Sequence, residues 1–354
     1  MNQHHHSHLF PGVPLALGSA VLFGASAPLS KWLLGSVDPW LLAGILYLGA
    51  GIGLALVHWG RPLIGLERVE TPLSRSDLPW LAAVVAFGGV VAPLFLMLGL
   101  SLTTASSASL LLNLEGLATM LIAWLVFREN VDRRLVIGAL AILLGAVVLS
   151  FDSGGFELAP GGLWIAAACL CWGIDNNLTR KLSSADPVQI AMIKGLAAGG
   201  TNVVLALFLG ASLPSFFVIG IGAIVGFLGI GVSLVMFMLG LRHLGTARTG
   251  AYFSLAPFIG ALIAVIGFGE PVTLSLVVAA LLMGFGLWLH LSERHQHDHL
   301  HDPIEHDHLH SHDDHHDHDH DGPVTEPHAH WHRHAPLRHK HPHYPDLHHR
   351  HGHG

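Results

Sequence analysis

The feature that most constrains this chain is a run of fifty residues, from Leu78 to Phe127, in which Glu115 is the only charged side chain. Hydrophobic residues make up 51% of the 354-residue sequence, and charged residues make up only 12%. A chain of this composition cannot remain soluble in water as a monomer. Because a helix needs about 20 apolar residues to cross roughly 30 Å of hydrocarbon, the sequence predicts an all-α integral membrane protein.

Ten apolar stretches long enough to span a bilayer follow one another along the chain. Their centres lie near Phe23, Gly49, Gly89, Gly116, Leu140, Cys171, Ala198, Gly226, Gly260 and Leu281. Asp38-Pro39 and Asp186-Pro187 each place an acidic N-cap before a proline at the first helical position, so the second and seventh spans are predicted to begin there. Asp77 predicts the start of the third span in the same way. The connections are too short to hold a soluble catalytic domain.

The stretch from Gly99 to Gly145 occurs twice, because a shift of 141 positions places it on Gly240 to Gly286 without a gap. The matched pairs include Leu114 with Leu255, Phe127 with Phe268 and Glu129 with Glu270. An earlier match pairs Gly24 with Gly173 and Asp38-Pro39 with Asp186-Pro187. The chain is therefore a duplication, predicted as a first repeat over 12–150 and a second over 160–290. Segment 1–11 precedes the repeats and a tail over 291–354 follows them.

We expect Glu129 and Glu270 to cap the helices that come after them.

Positive side chains are concentrated in every second loop, and this bias predicts the orientation of the spans. These residues are Arg61, Arg68, Arg75, Arg128, Arg133, Arg134, Arg180, Lys181, Arg242 and Arg248. They follow the even-numbered spans, so both termini are predicted to be cytoplasmic, with the protein in the cell membrane (the inner membrane of a bacterium). Because each repeat has five spans, the second repeat crosses the membrane in the opposite direction. Inverted repeats are typical of alternating-access carriers, whose substrate site lies between the halves.

The residues that carry a family resemblance lie in both halves. They are the Gly24 and Gly173 segments, the two Asp-Pro pairs, Leu112 to Glu115, Phe127-Arg128-Glu129, Gly138 and Gly145. On these residues each half resembles an EamA domain of the drug/metabolite transporter superfamily, over roughly Gly12 to His290. The resemblance implies a transporter, and it leaves the substrate open among amino acids, other metabolites, nucleotide sugars and drugs. A basic residue is common in the second helix of such units; here it is present as Lys194 in the second copy and replaced by Leu46 in the first.

Polar residues within the spans form the candidate site for substrate or coupling ion, because ionisable groups in hydrocarbon are costly and usually face a bundle interior. At about 1.5 Å per residue, Glu115 falls near the midplane, and Asp175 and Lys194 reach a similar depth and could pair. The alternative is structural: a hydrogen bond for Glu115, and a polar lock between helices for the other two. The candidate residues are Glu115, Asn113, Asp175, Asn176, Lys194, Trp172 and Tyr252.

The tail that begins at His295 holds 23 of the 30 histidines, interleaved with aspartates, and it shows no apolar period. A segment of this composition cannot bury a core, so it is predicted to be disordered. Imidazoles and carboxylates are ligands for zinc, nickel, cobalt and copper. The candidate metal ligands are His297, His299, His301, His315, His316, His318 and His320.

Two functions fit these features best. The first is a secondary transporter, and in particular an exporter, of a small organic metabolite such as an amino acid. The second is a divalent transition-metal exporter whose tail collects the ion, although the spans lack a cluster of His, Asp or Cys. A membrane-anchored metal sensor is a third alternative. An enzyme is not expected, because no nucleophile and base pair, phosphate loop or catalytic metal motif is visible. The expected partners are the bilayer, a small molecule and divalent metals, without nucleic acid or a required cofactor; a homodimer is compatible with the sequence.

Overall fold

The structure is a computed structural model that describes residues 12–60, 73–127, 133–150, 160–179, 182, 186–291, 296–300, 305–310, 328–333 and 338–342. The helices of the first half are α1 (Gly12–Leu33), α2 (Pro39–Gly60), α3 (Leu78–Val84), α4 (Ala92–Leu102), α5 (Ala105–Leu111), α6 (Leu114–Phe127) and α7 (Arg133–Ser150). The helices of the second half are α8 (Pro160–Thr179), α9 (Pro187–Phe208), α10 (Phe216–Gly226), α11 (Ser233–Phe253), α12 (Ala256–Phe268) and α13 (Leu274–Leu291). A short 3₁₀ helix, Arg75–Asp77, precedes α3.

Two of the predicted helix starts are confirmed with their capping bonds. The Asp38 carboxylate accepts hydrogen bonds from the Trp40 and Leu41 amides at 2.9 and 3.2 Å, at the start of α2. The Asp186 carboxylate accepts one from the Val188 amide at 2.8 Å, at the start of α9. Helix α3 also begins where predicted, but its capping differs: the Asp77 carboxylate accepts from the Ser74 amide instead.

Nine of the ten predicted spans correspond, within the described residues, to helices long and apolar enough to cross a membrane. The remaining predicted span is the sixth, which corresponds to α8. This helix has 20 residues and carries Asp175, Asn176 and Asn177 in succession, which lowers its hydropathy. The chain is thus a multi-pass helical membrane protein. That α8 is also a full span, giving ten, stays a prediction.

Equivalent positions of the two repeats make equivalent contacts. Gly88 lies so close to Asp175 that a Cβ at position 88 would overlap the carboxylate, and Gly229, its repeat partner, lies in the same way against Ser26, the repeat partner of Asp175. The duplication seen in the sequence is therefore also a duplication of packing.

The third span of each repeat changes from α-helix to π-helix near its middle. The π-helical segments are Val85–Val91 between α3 and α4, and Phe227–Val232 between α10 and α11. A shift of 141 positions places one segment almost directly on the other. A π-helical turn widens the helix and leaves backbone carbonyls without their usual partners, and such turns are frequent at functional sites.

The fourth and ninth spans each contain a two-residue turn that the sequence analysis did not predict. A turn at Leu112 and Asn113 separates α5 from α6, and a turn at Ser254 and Leu255 separates α11 from α12. The Asn113 amide donates to the Leu110 carbonyl at 2.8 Å, so the side chain takes over part of the helical hydrogen bonding at the first break. At the second break Pro257 favours a helix start, because it has no backbone N–H to donate.

The two repeats meet along α2 and α9, which approach closely enough for backbone contact. Gly44, Gly51, Gly195 and Gly199 line this interface, and a Cβ at any of them would overlap atoms of the opposite helix. Small residues allow such an approach between helices in a membrane. Helices α7 and α13 form a second close pair, and α1 packs against α11 and α12.

Four short strands in the tail differ from the predicted disorder. They are β1 (Gln296–Leu300), β2 (Glu305–His310), β3 (His328–Arg333) and β4 (Arg338–Pro342), with β1 antiparallel to β4 and β2 antiparallel to β3. For the rest of the tail, which lies outside the described residues, disorder stays a prediction. Backbone pairing satisfies N–H and C=O groups without requiring an apolar core, which the composition argument did not consider.

Reporter fusions test the predicted orientation directly. Fusions after Gly154 and Gly210 are expected to report the extracytoplasmic side, and fusions after Arg128 and Leu291 the cytoplasm, because the Lys and Arg bias permits only that assignment. Alkaline phosphatase and fluorescent-protein activities of matched fusions are the measurement. A cytoplasmic signal at Gly154 would contradict the inverted arrangement of the repeats.

Candidate functional site

Glu115 lies in the first turn of α6, directly after the break in the fourth span. The Asn176 amide of α8 donates to Glu115 Oε1 at 2.9 Å and to Thr119 Oγ1 at 3.2 Å. The Thr119 hydroxyl in turn donates to the Glu115 carbonyl at 2.9 Å. The structure thus brings together two of the predicted site residues, Glu115 and Asn176, and adds Thr119. A helix start favours a negative charge in its first turn, which fits the position of this carboxylate.

Asp175 of α8 and Lys194 of α9 form an ion pair, with Lys194 Nζ 2.5 Å from Asp175 Oδ2. Their side chains are 6% and 12% exposed, respectively. The pairing predicted from their depth is confirmed. Asp175 and Asn176 are consecutive residues of α8, so the ion pair and the Glu115–Asn176 hydrogen bond lie on adjacent residues, and the four side chains form one polar region.

The π-helical segment Val85–Val91 presents its carbonyls to this polar region. The Gly88 carbonyl accepts hydrogen bonds from the Tyr47 hydroxyl at 2.9 Å and from Trp172 Nε1 at 3.1 Å. The Asn202 amide lies 3.4 and 3.3 Å from the carbonyls of Gly89 and Val90. Side chains from α2, α8 and α9 therefore donate to the carbonyls of this π-helical segment.

Two of the predicted site residues occupy other positions. Asn113 bonds within its own turn and places its amide 3.8 Å from Met283 Sδ. Tyr252 lies near the end of α11 and is half-buried. No described hydrogen bond connects either residue to Glu115 or to the ion pair.

Sequence reasoning missed Tyr47, Thr119 and Asn202. Tyr47 directly follows Leu46, which the repeat aligns with Lys194, so the alignment itself could have indicated the position. Thr119 lies one helical turn after Glu115 and shares its face. Asn202 is fully buried. An asparagine within an apolar span could have indicated this position.

A second polar arrangement lies where α4 ends and α5 begins. Glu270 accepts hydrogen bonds from the Ala105 and Ser106 amides, one on each carboxylate oxygen, both at 2.8 Å. Lys31 of α1 donates to the Leu100 carbonyl at 2.6 Å. The negative charge thus meets the N-terminus of one helix and the positive charge meets the C-terminus of the other, as helix dipoles favour.

This arrangement corrects the expected role of Glu270. The carboxylate caps α5 in the other repeat, and the helix that follows it, α13, is capped by the Thr273 hydroxyl, which accepts from the Leu276 amide at 3.2 Å. Glu129, its repeat partner, lies outside the described residues. The connection between α4 and α5 is therefore stabilised by Lys31 of α1 and by Glu270 of the second repeat.

The predicted metal ligands fall mostly outside the described residues. His297 and His299 lie in β1, whereas His301, His315, His316, His318 and His320 belong to segments that the structure does not describe. Among the described residues there is no group of three His, Cys, Asp or Glu side chains that could hold a metal ion.

Comparisons with known proteins agree with this architecture. The model of the EamA-like transporter family matches twice, over residues 10–151 and 159–292, once in each predicted repeat. An uncharacterized transporter of Methanothermobacter thermautotrophicus is 30% identical over 292 residues, which cover 77% of this chain and 83% of the relative. A probable amino-acid metabolite efflux pump of Salmonella typhimurium is 26% identical over 296 residues, covering 78% and 93% of the two chains.

A solved crystal structure shares the fold, with a TM-score of 0.59 and 22% sequence identity, over 78% of this chain and 94% of the other. The polar region between the repeats, the two family matches and the 30% identical relative lead to one conclusion. This chain belongs to the EamA-like transporter family, and it is a multi-pass membrane transporter.

Proposed function

We propose that the protein is a secondary transporter that exports a small organic metabolite, such as an amino acid, by alternating access between its two inverted repeats. The observation that carries this proposal is the polar region formed by Glu115, Asn176, Asp175 and Lys194, which lies beside the turn between α5 and α6 and beside a π-helical segment. Inverted repeats with a site near the bilayer midplane are typical of secondary transporters. The name of the Salmonella relative supports export of an amino-acid metabolite.

The predicted position of these charges argues for a role in transport. An ion pair or a carboxylate inside a membrane is costly, and such groups usually mark substrate or ion pathways. Glu115 would contact the substrate or the coupling ion, and the Asp175–Lys194 pair would set the charge beside it. Tyr47 and Trp172 would hold the π-helical segment against the site through the Gly88 carbonyl.

The packing suggests which side of the site is closed. Helix α5 packs against α12 and α1, whereas α6, the other half of the same span, packs against α8 and α7. In the predicted orientation, α5 and the Glu270 contacts lie on the extracytoplasmic side. We propose that this conformation is closed to the outside, and that export requires Glu270 to release the N-terminus of α5.

Glu270→Gln is expected to loosen the extracytoplasmic closure. An amide has one acceptor oxygen where the carboxylate has two, and it lacks the charge at the helix N-terminus, which is worth about 0.3–1 kcal/mol. Ser109 is buried and packs directly against Gly260 at the contact of α5 with α12. In a Cys169→Ala/Cys171→Ala background, a Ser109→Cys side chain should react faster with a membrane-impermeant maleimide from outside when Glu270 is replaced.

The matched control for this experiment is Asp38→Asn. Asp38 caps its own helix, on the same predicted side of the membrane, without connecting the repeats. Equal labelling rates for Glu270→Gln and the unmodified parent would show that Glu270 does not hold the closure.

Metabolite profiling tests the proposed function. Cells that express the protein are expected to hold less of at least one small organic metabolite, and their medium more of it, than cells that lack the protein. Intracellular metal is measured in the same samples. A change in metals with no change in any metabolite would favour the alternative function, metal export.

The histidine-rich tail is the observation that favours metal export as a second candidate. We expect the tail to bind copper and nickel more tightly than cobalt, following the general affinity order of nitrogen ligands, and to lose binding below about pH 6 because protons compete for imidazole. Flux of labelled nickel into inside-out vesicles is measured with the full-length protein and with a form lacking residues 295–354. Nickel flux that needs a higher external concentration after truncation would support this candidate, and no flux from either form would exclude it.

A further inference from the structure

We propose that the substrate docks at Glu115 through a protonated amine. This inference rests on the proposed export function and names the chemical class of the cargo. The inference follows from two properties of Glu115: its carboxylate has acceptor positions without a described hydrogen bond, and its negative charge has no described cationic partner.

The first step concerns hydrogen-bond donors. The Tyr47 hydroxyl and Trp172 Nε1 are both directed to the Gly88 carbonyl, and the Asn176 amide is directed to Glu115 and Thr119. These donors are occupied by acceptors of the protein itself. Glu115 by contrast accepts a described side-chain bond at Oε1 alone, and a carboxylate offers about four acceptor positions. The free capacity around Glu115 is therefore acceptor capacity, which a ligand rich in N–H donors would fill.

The second step concerns charge. Asp175 and Lys194 neutralise each other in a direct ion pair. Within the described part of the chain, no Lys, Arg or His lies within ion-pair distance of Glu115, whose described side-chain partner is the neutral Asn176. The polar region thus contains two carboxylates and one ammonium group, and the ammonium group is paired with Asp175. Glu115 is half-buried, and a carboxylate that is partly removed from water without a cation is unfavourable. A cationic ligand therefore complements this region, whereas phosphorylated or dicarboxylate ligands would add repulsion.

The third step uses the asymmetry of the repeats. The repeat partner of Glu115 is Ala256, the partner of Asp175 is Ser26, and the partner of Lys194 is Leu46. The duplication has therefore left one free carboxylate and not two. A single amine is the matching group, and a compound with two widely spaced amines would find no second carboxylate in the equivalent position.

Two kinds of compound supply such a group: amines without a carboxylate, and amino acids. Lys194 donates one described hydrogen bond and has three N–H groups, so the carboxylate of an amino acid could be accommodated beside it. The shared chemistry is the protonated amine, and the experiment separates the two sources.

The test is untargeted profiling of the medium of cells that express the parent protein, Glu115→Gln, Glu115→Asp or Asp77→Asn at equal membrane abundance. Asp77→Asn makes the same carboxylate-to-amide change outside the polar region. We expect the compounds enriched by the parent protein to carry an amine that is protonated at neutral pH. Their enrichment should fall by about tenfold or more in Glu115→Gln, since a charged hydrogen bond is lost, fall less in Glu115→Asp, and remain unchanged in Asp77→Asn.

Each outcome decides between the proposals. Enriched compounds that lack an amine, or full activity of Glu115→Gln, would overturn the amine assignment and leave the export function standing. The absence of any enriched metabolite would overturn the export function itself, and the amine assignment with it. If Glu115→Gln fails to reach the membrane, the chemical class of the compounds exported by the parent protein and the Glu115→Asp result still decide the question. Enrichment of amino acids would support amino acids as the source of the amine, and enrichment of amines without a carboxylate would support the other source.

Discussion

Glu115→Gln is expected to reduce transport strongly and to leave the protein inserted and folded. Glutamine has nearly the same shape, and its side-chain oxygen can still accept the hydrogen bond from Asn176, so the contact between α6 and α8 survives. What disappears is the negative charge. A hydrogen bond to a charged group contributes about 1.5–3 kcal/mol, so transport should fall by about 10- to 100-fold. Flux of an exported metabolite per molecule of membrane protein is the measurement.

Asp77→Asn is the control for this prediction, because the described hydrogen bonds of the Asp77 carboxylate lie within the turn before α3. Equal flux for the parent protein and Glu115→Gln would return Glu115 to a structural role. Loss of flux together with loss of the folded protein would support that structural role as well.

Gly199→Ala is expected to destabilise the bundle strongly, whereas Gly200→Ala, one residue further along α9, should be tolerated. A Cβ at position 199 would overlap the backbone of Leu48, Tyr47 and Gly44 on α2, and a Cβ at position 200 meets no atom within 4 Å. Overpacking of a close contact costs about 1–3 kcal/mol. In a helix, Ala in place of Gly gains up to about 1 kcal/mol where space allows.

The thermal midpoint of the purified protein is the measurement for this pair of variants. We also expect Gly199→Ala to lower transport in the fraction that folds, because the overlap pushes on Tyr47, which bonds to Gly88 beside the site. Equal thermal midpoints for the two variants would show that α2 and α9 do not approach as closely as described.

Features that depend on local composition could be predicted from the sequence. The spans follow from runs of apolar residues, and the starts of α2 and α9 follow from Asp-Pro pairs. The Asp175–Lys194 pair could also be predicted, because two opposite charges at a similar depth in hydrocarbon are stabilised when they form an ion pair. The family could be recognised from the sequence because its motifs recur in both halves of the chain.

Features that depend on contacts between distant segments could not be predicted. Glu270 caps a helix 165 residues away in sequence, and its own neighbours in the chain favoured the following helix as its partner. The π-helical segments and the breaks at Asn113 and Ser254 have no signature in the apolar period, because a single extra residue in a turn leaves the composition unchanged. Tyr47 contacts the site through its hydrogen bond to the Gly88 carbonyl, and this contact depends on the close approach of α2 to the π-helical segment.

Asymmetry between the repeats was only partly visible in the sequence. The alignment showed Lys194 opposite Leu46, which placed a symmetric contact in doubt. It did not show that Trp172 and Tyr47 converge on one carbonyl, since their repeat partners are Phe23 and Gly195, which have no donor in the side chain. The π-helical segment of the first repeat is therefore held by hydrogen bonds from Tyr47 and Trp172, whereas the equivalent residues Gly195 and Phe23 have no side-chain donor for the second segment.

The most direct test of export through the Glu115 region is uptake of a labelled mixture of amino acids and small amines into inside-out membrane vesicles under an imposed ion gradient. Vesicles with the parent protein should accumulate at least one labelled compound above its external concentration, lose it when the gradient is dissipated, and accumulate about 10- to 100-fold less with Glu115→Gln. Accumulation that is equal with the parent protein, with Glu115→Gln and without either protein would contradict the account.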